Sequence, residues 1–124
     1  MERLFFIGLA GAAGSISRYA LQTAANHIAG RPTILGTMAV NLSGAFLLGI
    51  LLGITESRLS LPGHWRVVAS TGFFGAYTTF SALMLESIDR AETGAPIVAI
   101  LNIAASIAFG LALGYGGLQL GRNA

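Results

Sequence analysis

The sequence predicts an all-α integral membrane domain of four transmembrane helices, with the third helix broken mid-membrane. Three observations carry this prediction. The 124 residues have a mean hydropathy of +0.73 and only 10% charged residues, a balance that no soluble domain of this length needs. Cutting the chain at its charges leaves four apolar stretches, and the last three are charge-free and at or near the ~17–25 residues a spanning helix requires. The third, Val67–Leu85, carries Gly72-Phe73-Phe74-Gly75-Ala76-Tyr77-Thr78-Thr79-Phe80-Ser81 in its middle. Two glycines and two adjacent threonines suit a helix poorly. Backbone left out of its helix at membrane depth survives only where protein or a watery cavity surrounds it. Carbonyls freed there are ready ion ligands.

The spans are expected near residues 4–25, 33–55, 66–87 and 95–118, in a single domain covering residues 1–124. The connections Asn26–Arg31, Glu56–Arg66 and Glu86–Glu92 are too short to hold a soluble domain. Residues Met1–Ser15 have the outline of a secretory signal, with Arg3, an apolar run and Ala10-Gly11-Ala12. Glu2 offsets Arg3, however, and the apolar character continues to Ala25, so the stretch reads as the first span. With no cysteine there are no disulfides and no thiolate metal sites. The net charge of +2 comes from seven scattered arginines, too little for nucleic-acid binding.

In the first span, Gly8, Gly11, Ala12 and Ser15 lie along neighbouring ridges that permit close helix approach. Arg18-Tyr19 follows. It is either a snorkelling arginine beside an interfacial tyrosine, or a fixed positive charge in an aqueous vestibule that attracts anions. The second span sets Thr37, Asn41 and Ala45 on one face, with Gly44, Gly49 and Gly53 marking tight packing. Asn41, deep in an apolar helix, either bonds a neighbouring helix or lines a pathway. The third span begins after Pro62-Gly63-His64-Trp65-Arg66, where Trp65 suits an interfacial belt and His64, like His27, reads as interfacial. Beyond its broken middle, Phe80, Ser81 and Leu83 lead to Glu86 at an aqueous mouth. The fourth span opens at Pro96, acceptable in a first helical turn. Asn102, Ser106, Gly110 and Gly114 recur every four residues there. Glycines alone would indicate a packing seam; Asn102 and Ser106 favour a hydrogen-bonding track.

In a four-span chain the N-terminus, middle loop and C-terminus share one side, which carries Arg3, Arg58, Arg66 and Arg122. The other side carries Arg31 and Arg90, with Arg18 if it snorkels that way. This bias is too weak to fix one orientation. Four short helices also enclose too little space for a private pore. An antiparallel, dual-topology homodimer explains both facts.

Taken together, these residues resemble the Fluc (CrcB) family of fluoride-specific ion channels. The match runs from Gly8, Gly11, Ala12 and Gly14 ahead of Arg18-Tyr19, through Gly36-Thr37, Val40-Asn41 and Gly44, to Gly72-Phe73, Gly75 and Thr78-Thr79-Phe80-Ser81. The resemblance implies a multi-pass protein of the bacterial inner membrane, with two fluoride pores in an antiparallel homodimer. It also implies a structural, non-transported sodium ion (Na+) at the dimer interface, bound by backbone carbonyls that map to Gly75 and Thr78. Fluoride trapped in the cytoplasm would leave passively through such a channel. Fluoride is small and strongly hydrated, so its pore must replace water with hydrogen-bond donors. Asn41, Ser81, Asn102 and Ser106 can donate, and Phe80 can offer the positive edge of its ring. Arg18 and Glu86 fall at the vestibules. The sequence departs from the family pattern at Ala82-Leu83, where relatives usually have Thr-Phe, so Leu83 leaves the pore one ring short. Asn102 stands where tyrosine is frequent.

A small dual-topology multidrug or cation antiporter would share the size and the weak charge bias. It would also need an intramembrane carboxylate, and Glu2, Glu56, Glu86, Asp89 and Glu92 all fall at span ends or in loops. A non-transporting scaffold would not need the broken Gly75–Thr79 segment. No histidine–carboxylate cluster, serine elbow or metal motif speaks for an enzyme. Reporter fusions at the C-terminus are expected to show both orientations in one cell population; one orientation in every fusion would end the antiparallel homodimer.

Overall fold

The computed structural model describes residues 1–31, 33–57 and 61–124. Arg58, counted in the charge balance, and Pro32, at the head of the second apolar stretch, lie outside the described residues. The described chain is all helical. Helix α1 is Glu2–Ala29, α2 is Ile34–Ser57, and α6 is Pro96–Asn123. The third span is composite: α3 (Gly63–Val67), a π-helical stretch (Val68–Phe74), α4 (Gly75–Tyr77) and α5 (Phe80–Glu92). Each of the four spans is long and apolar enough to cross a membrane.

The helices outrun their apolar cores because local polar groups close their ends. At the end of α1, Gly30 sits at φ 66° and Arg31 N–H bonds the Asn26 carbonyl, a glycine-dependent stop. Thr33 Oγ1 accepts from Leu35 N–H at 3.2 Å and starts α2, while Asn26 Oδ1 accepts from Thr33 N–H and ties the two helices together. Pro96 occupies the first turn of α6. At the opposite end, Glu56 of α2 accepts from Arg122 Nε at 3.0 Å and lies 3.8 Å from Arg66. This ion cluster gathers the ends of α2, α3 and α6. It is solvent-facing, so each pair contributes no more than ~1 kcal/mol.

The most extensive packing joins α2 to α6, and glycine makes it possible. A Cβ built on Gly117 would stand 2.2 Å from the Phe46 carbonyl oxygen, and one on Gly49 2.4 Å from that of Gly114. Gly53 and Gly121 are equally confined. The glycines of α2 therefore pack as expected. In α1, Gly8 faces open space, Gly11 lies against the Gly72 carbonyl, and the tightest approach falls on Gly14, whose added Cβ would be 2.2 Å from the Phe73 carbonyl oxygen. Helix α1 meets the π-helical stretch there and again one turn earlier, where Gly72 comes against Ile7 and Ala10. The buried apolar core is thin, centred on Val40, Val68, Tyr77, Leu83 and Ala99, whereas Phe5, Ile16, Phe80, Ile100 and Leu111 are exposed. That surface is suited to lipid or another chain.

Gly117→Val is expected to weaken the α2–α6 pair by ~1–3 kcal/mol, the usual range for overpacking, read as a lowered midpoint in a detergent unfolding titration. Gly116→Ala, one residue away and facing open space, should leave that midpoint unchanged or raise it slightly.

Candidate functional site

The third span is interrupted at Thr78 and Thr79, which adopt extended backbone angles (φ −83°, ψ 157° and φ −148°, ψ 117°). Two β-branched residues in sequence favour this conformation over helix. Upstream, the π-helical turns of Val68–Phe74 carry one more residue than α-helix would, and Gly75 N–H reaches the Ser70 carbonyl. Thr78 N–H and Oγ1 both donate to the Phe74 carbonyl, at 3.0 and 2.9 Å, which closes the upstream end.

Asn41 spans the interruption from α2. Its Oδ1 accepts from Thr79 N–H at 2.7 Å, and its Nδ2 donates to the Thr79 carbonyl at 2.9 Å. One amide side chain thus pairs both backbone groups of one residue, as a neighbouring strand would. In a continuous helix Thr79 N–H would have gone to the Gly75 carbonyl. One turn later Thr79 Oγ1 accepts from Ala82 N–H at 3.2 Å, capping α5. That N–H would otherwise have bonded the Thr78 carbonyl. Two side chains therefore strip helical donors from the carbonyls of Gly75 and Thr78. The oxygens released are neutral and hard, a donor set that fits an alkali cation.

Gly44 lets α2 approach this segment, since its added Cβ would fall 2.3 Å from Thr78 Cγ2. Ser43 and the buried Tyr77 hydroxyl pair at 2.8 Å just behind it. Beside the interruption lies a groove of about 330 Å³ lined by Asn41, Gly44, Ala45, Leu48, Thr78, Thr79, Phe80 and Leu83. Asn41, Phe80 and Leu83, expected along one pathway, do meet here. Leu83 is buried, whereas Phe80 is 72% exposed, so its ring stands at an edge of the groove that the single chain leaves open.

The other expected residues lie elsewhere. Ser81 shares a second cleft of about 330 Å³ with Ser15, Arg18, Tyr19, Gln22 and Thr79. Arg18 Nη1 points at the Thr78 carbonyl at 3.5 Å. Glu86 Oε1 accepts from Thr37 Oγ1 at 2.6 Å, and Thr37 in turn accepts from Gln22 Nε2 at 2.9 Å. The second oxygen, Oε2, is buried without a partner among the described residues. Polar cavities around this carboxylate are lined by Asn26, Thr33, Thr37, Asp89 and Arg90, near the α1–α2 connection.

Asn102 and Ser106 do not line the groove. Asn102 Nδ2 donates to Ser87 Oγ at 3.0 Å, and Ser87 donates to the Leu83 carbonyl at 2.7 Å, so this end of the α6 stripe braces α5. Asn102 Oδ1 and Ser106 Oγ are buried without partners among the described residues, while Gly110 and Gly114 face Leu42 and Ala45 of α2. The stripe therefore divides between two neighbours. Ser87 and Gln22 escaped the sequence reading, and Thr79, placed in the broken segment, was given no capping role. Ser87 was discoverable as the residue one turn beyond Leu83; Thr79 as the first cap available after an interruption.

A protein-family model described as CrcB-like protein, Camphor Resistance (CrcB), matches residues 5–118. The chain is 41% identical over 122 residues to a protein of Nitratidesulfovibrio vulgaris named fluoride-specific ion channel FluC, covering 98% of both chains. Proteins of the same name from Maridesulfovibrio salexigens and Agrobacterium fabrum are 38% and 35% identical, over 98% and 99% of this chain and 97% and 98% of theirs. The matched segment takes in most of the first and last spans, all of the second and third, the interruption and the residues that hold it open, and the chain belongs to the CrcB family.

Proposed function

We propose that this chain is a fluoride-specific channel of the bacterial inner membrane, which passively exports fluoride and lowers its cytoplasmic concentration. The observation that carries the reading is the groove beside the interrupted span, where Asn41 and the Phe80 ring converge, in a chain similar end to end to proteins named FluC. Asn41 Nδ2 has two N–H bonds and gives one to Thr79, which leaves the other for an anion. The ring edge of Phe80 supplies a second weakly positive surface. Neither is charged, so a fluoride ion is attracted without being trapped. Ser81 is proposed as a further donor, while Asn102 acts through the bracing of α5 and Ser106, buried outside the groove, is assigned no contact with the ion. Glu86 is assigned to an entrance, and Arg18 to the polar cleft it shares with Ser81.

The functional unit is an antiparallel dual-topology homodimer, and the interruption lies mid-membrane at its interface. Support comes from the open edge of the groove at Phe80 and from apolar surface that one chain leaves uncovered. A structural sodium ion would be held by the Gly75 and Thr78 carbonyls of two crossing segments. When bound, it neutralises carbonyl dipoles that face each other across the interface. The rival antiporter lacks support, because Glu86, the partly buried carboxylate of the third span, sits beside the α1–α2 connection. Fluoride efflux from liposomes containing only this protein, with chloride as control, tests the reading; equal permeation of both anions, or of neither, would sink it.

Asn41→Asp is expected to lower fluoride flux at least about tenfold, since a lost buried donor weakens the structure by ~1–3 kcal/mol and the new charge repels the anion. Wild-type flux would show Asn41 to be a brace only. Phe80→Ile should nearly abolish flux with the dimer intact. Leu83→Phe should leave flux equal or raise it, because the groove beside Leu83 can take a ring. A dead Leu83→Phe channel in an intact dimer would show that ring edges do not line this path.

A further inference from the structure

Arg18 is half-buried in α1, and among the described residues it forms no ion pair. A snorkelling arginine would run along its helix toward the membrane surface. This one turns inward, its Nη1 3.5 Å from the Thr78 carbonyl. That oxygen is the one whose helical donor, Ala82 N–H, has been taken by Thr79 Oγ1. A carbonyl without a donor is costly in an apolar surrounding, so the single chain needs a substitute until anything else arrives. Arg18 is the group that reaches it.

The same oxygen is one of those assigned above to a cation. A guanidinium and a metal ion cannot both lie against one carbonyl without strong repulsion, which weakens only slowly with distance in a poorly screened site. We propose that Arg18 is a displaceable stand-in for the cation at Thr78: it holds that carbonyl in the single chain and sets how tightly the assembled protein binds the ion. The inference rests on the cation reading above. Displacement has somewhere to lead. The cleft around Arg18 offers the Ser15 and Ser81 hydroxyls and the Gln22 side chain, where a guanidinium can find oxygen acceptors a few ångströms from the carbonyl it leaves. Binding of the cation is then an exchange of positive charges, and its affinity is reduced by whatever charge Arg18 retains nearby.

The test uses the full chain purified in detergent and labelled for energy transfer between protomers. Dimer retention is measured on dilution as sodium is exchanged for N-methylglucamine at constant ionic strength. Arg18→Gln keeps a donor for the carbonyl and removes the charge; its half-saturating sodium concentration is expected to fall at least about tenfold. Arg18→Lys keeps the charge and should stay within about twofold of wild type. Both variants are prepared in saturating sodium and diluted stepwise, so that one stable only with the ion still yields a midpoint. A merely structural role would lower dimer stability without moving that midpoint. An Arg18→Gln midpoint equal to or above wild type, or an Arg18→Lys shift matching it, overturns the inference while leaving the cation reading in place. A wild-type dimer indifferent to sodium overturns both.

Discussion

A helix normally consumes its own hydrogen-bonding capacity, and this structure depends on one place where that self-sufficiency is broken by outside hands. The Asn41 amide takes both backbone groups of Thr79, and the Thr79 hydroxyl takes the N–H of Ala82. Neither bond is unusual in strength. What matters is the redirection of donors in an apolar setting, where water offers no alternative. Because each diverted N–H already has a partner, the extended pair is not poised to collapse back into helix. The carbonyls left behind gain chemistry that an uninterrupted span would not have.

Such a segment must be held from several sides, and packing explains how. Gly44 brings α2 against Thr78, and Gly14 brings α1 against the carbonyl of Phe73. Tyr77 is fixed by Ser43 and by its stacking on Phe73 at 5.7 Å. Below the interruption, the chain Asn102–Ser87–Leu83 fastens α5 to α6. The groove is thus a gap between rigid neighbours. The π-helical stretch adds a further adjustment, because a residue inserted into a helical run turns everything after it by about 100°.

Much of this was legible from composition. Charge-free stretches of membrane length located the spans, and the glycine–threonine pattern located the interruption, because both effects depend on residue type alone. Tight packing at Gly49 and Gly53 was legible for the same reason. The partner of each polar side chain was not. Asn41 had two readings from sequence, a bond to a neighbouring helix or a place in a pathway; its amide clamps Thr79, which meets the first, and it also lines the groove on which the pathway proposal rests. Asn102 and Ser106 followed a clean four-residue spacing, yet spacing identifies a face without naming what that face meets. It meets α5 at Ser87. On α1 the small residues Gly8, Gly11, Ala12 and Ser15 drew the packing expectation, and only the course of the π-helical stretch puts the tightest contact at Gly14.

The glycine seam between α2 and α6 carries a consequence for how the protein is made. Ser57 leaves the ribosome well before Asn123, so at ~5–20 residues per second α2 waits several seconds for the helix it packs against most closely. During that interval its smooth face, through Gly49 and Gly53, has only lipid beside it. The nascent chain's most extensive helix pairing therefore arrives last, with the final span. A truncated or stalled product lacking α6 would retain the interruption and the Asn41 amide but not the surface against which Gly49 and Gly53 pack. Membrane quality control would meet such a product as an exposed small-residue face, the kind that draws in other helices indiscriminately.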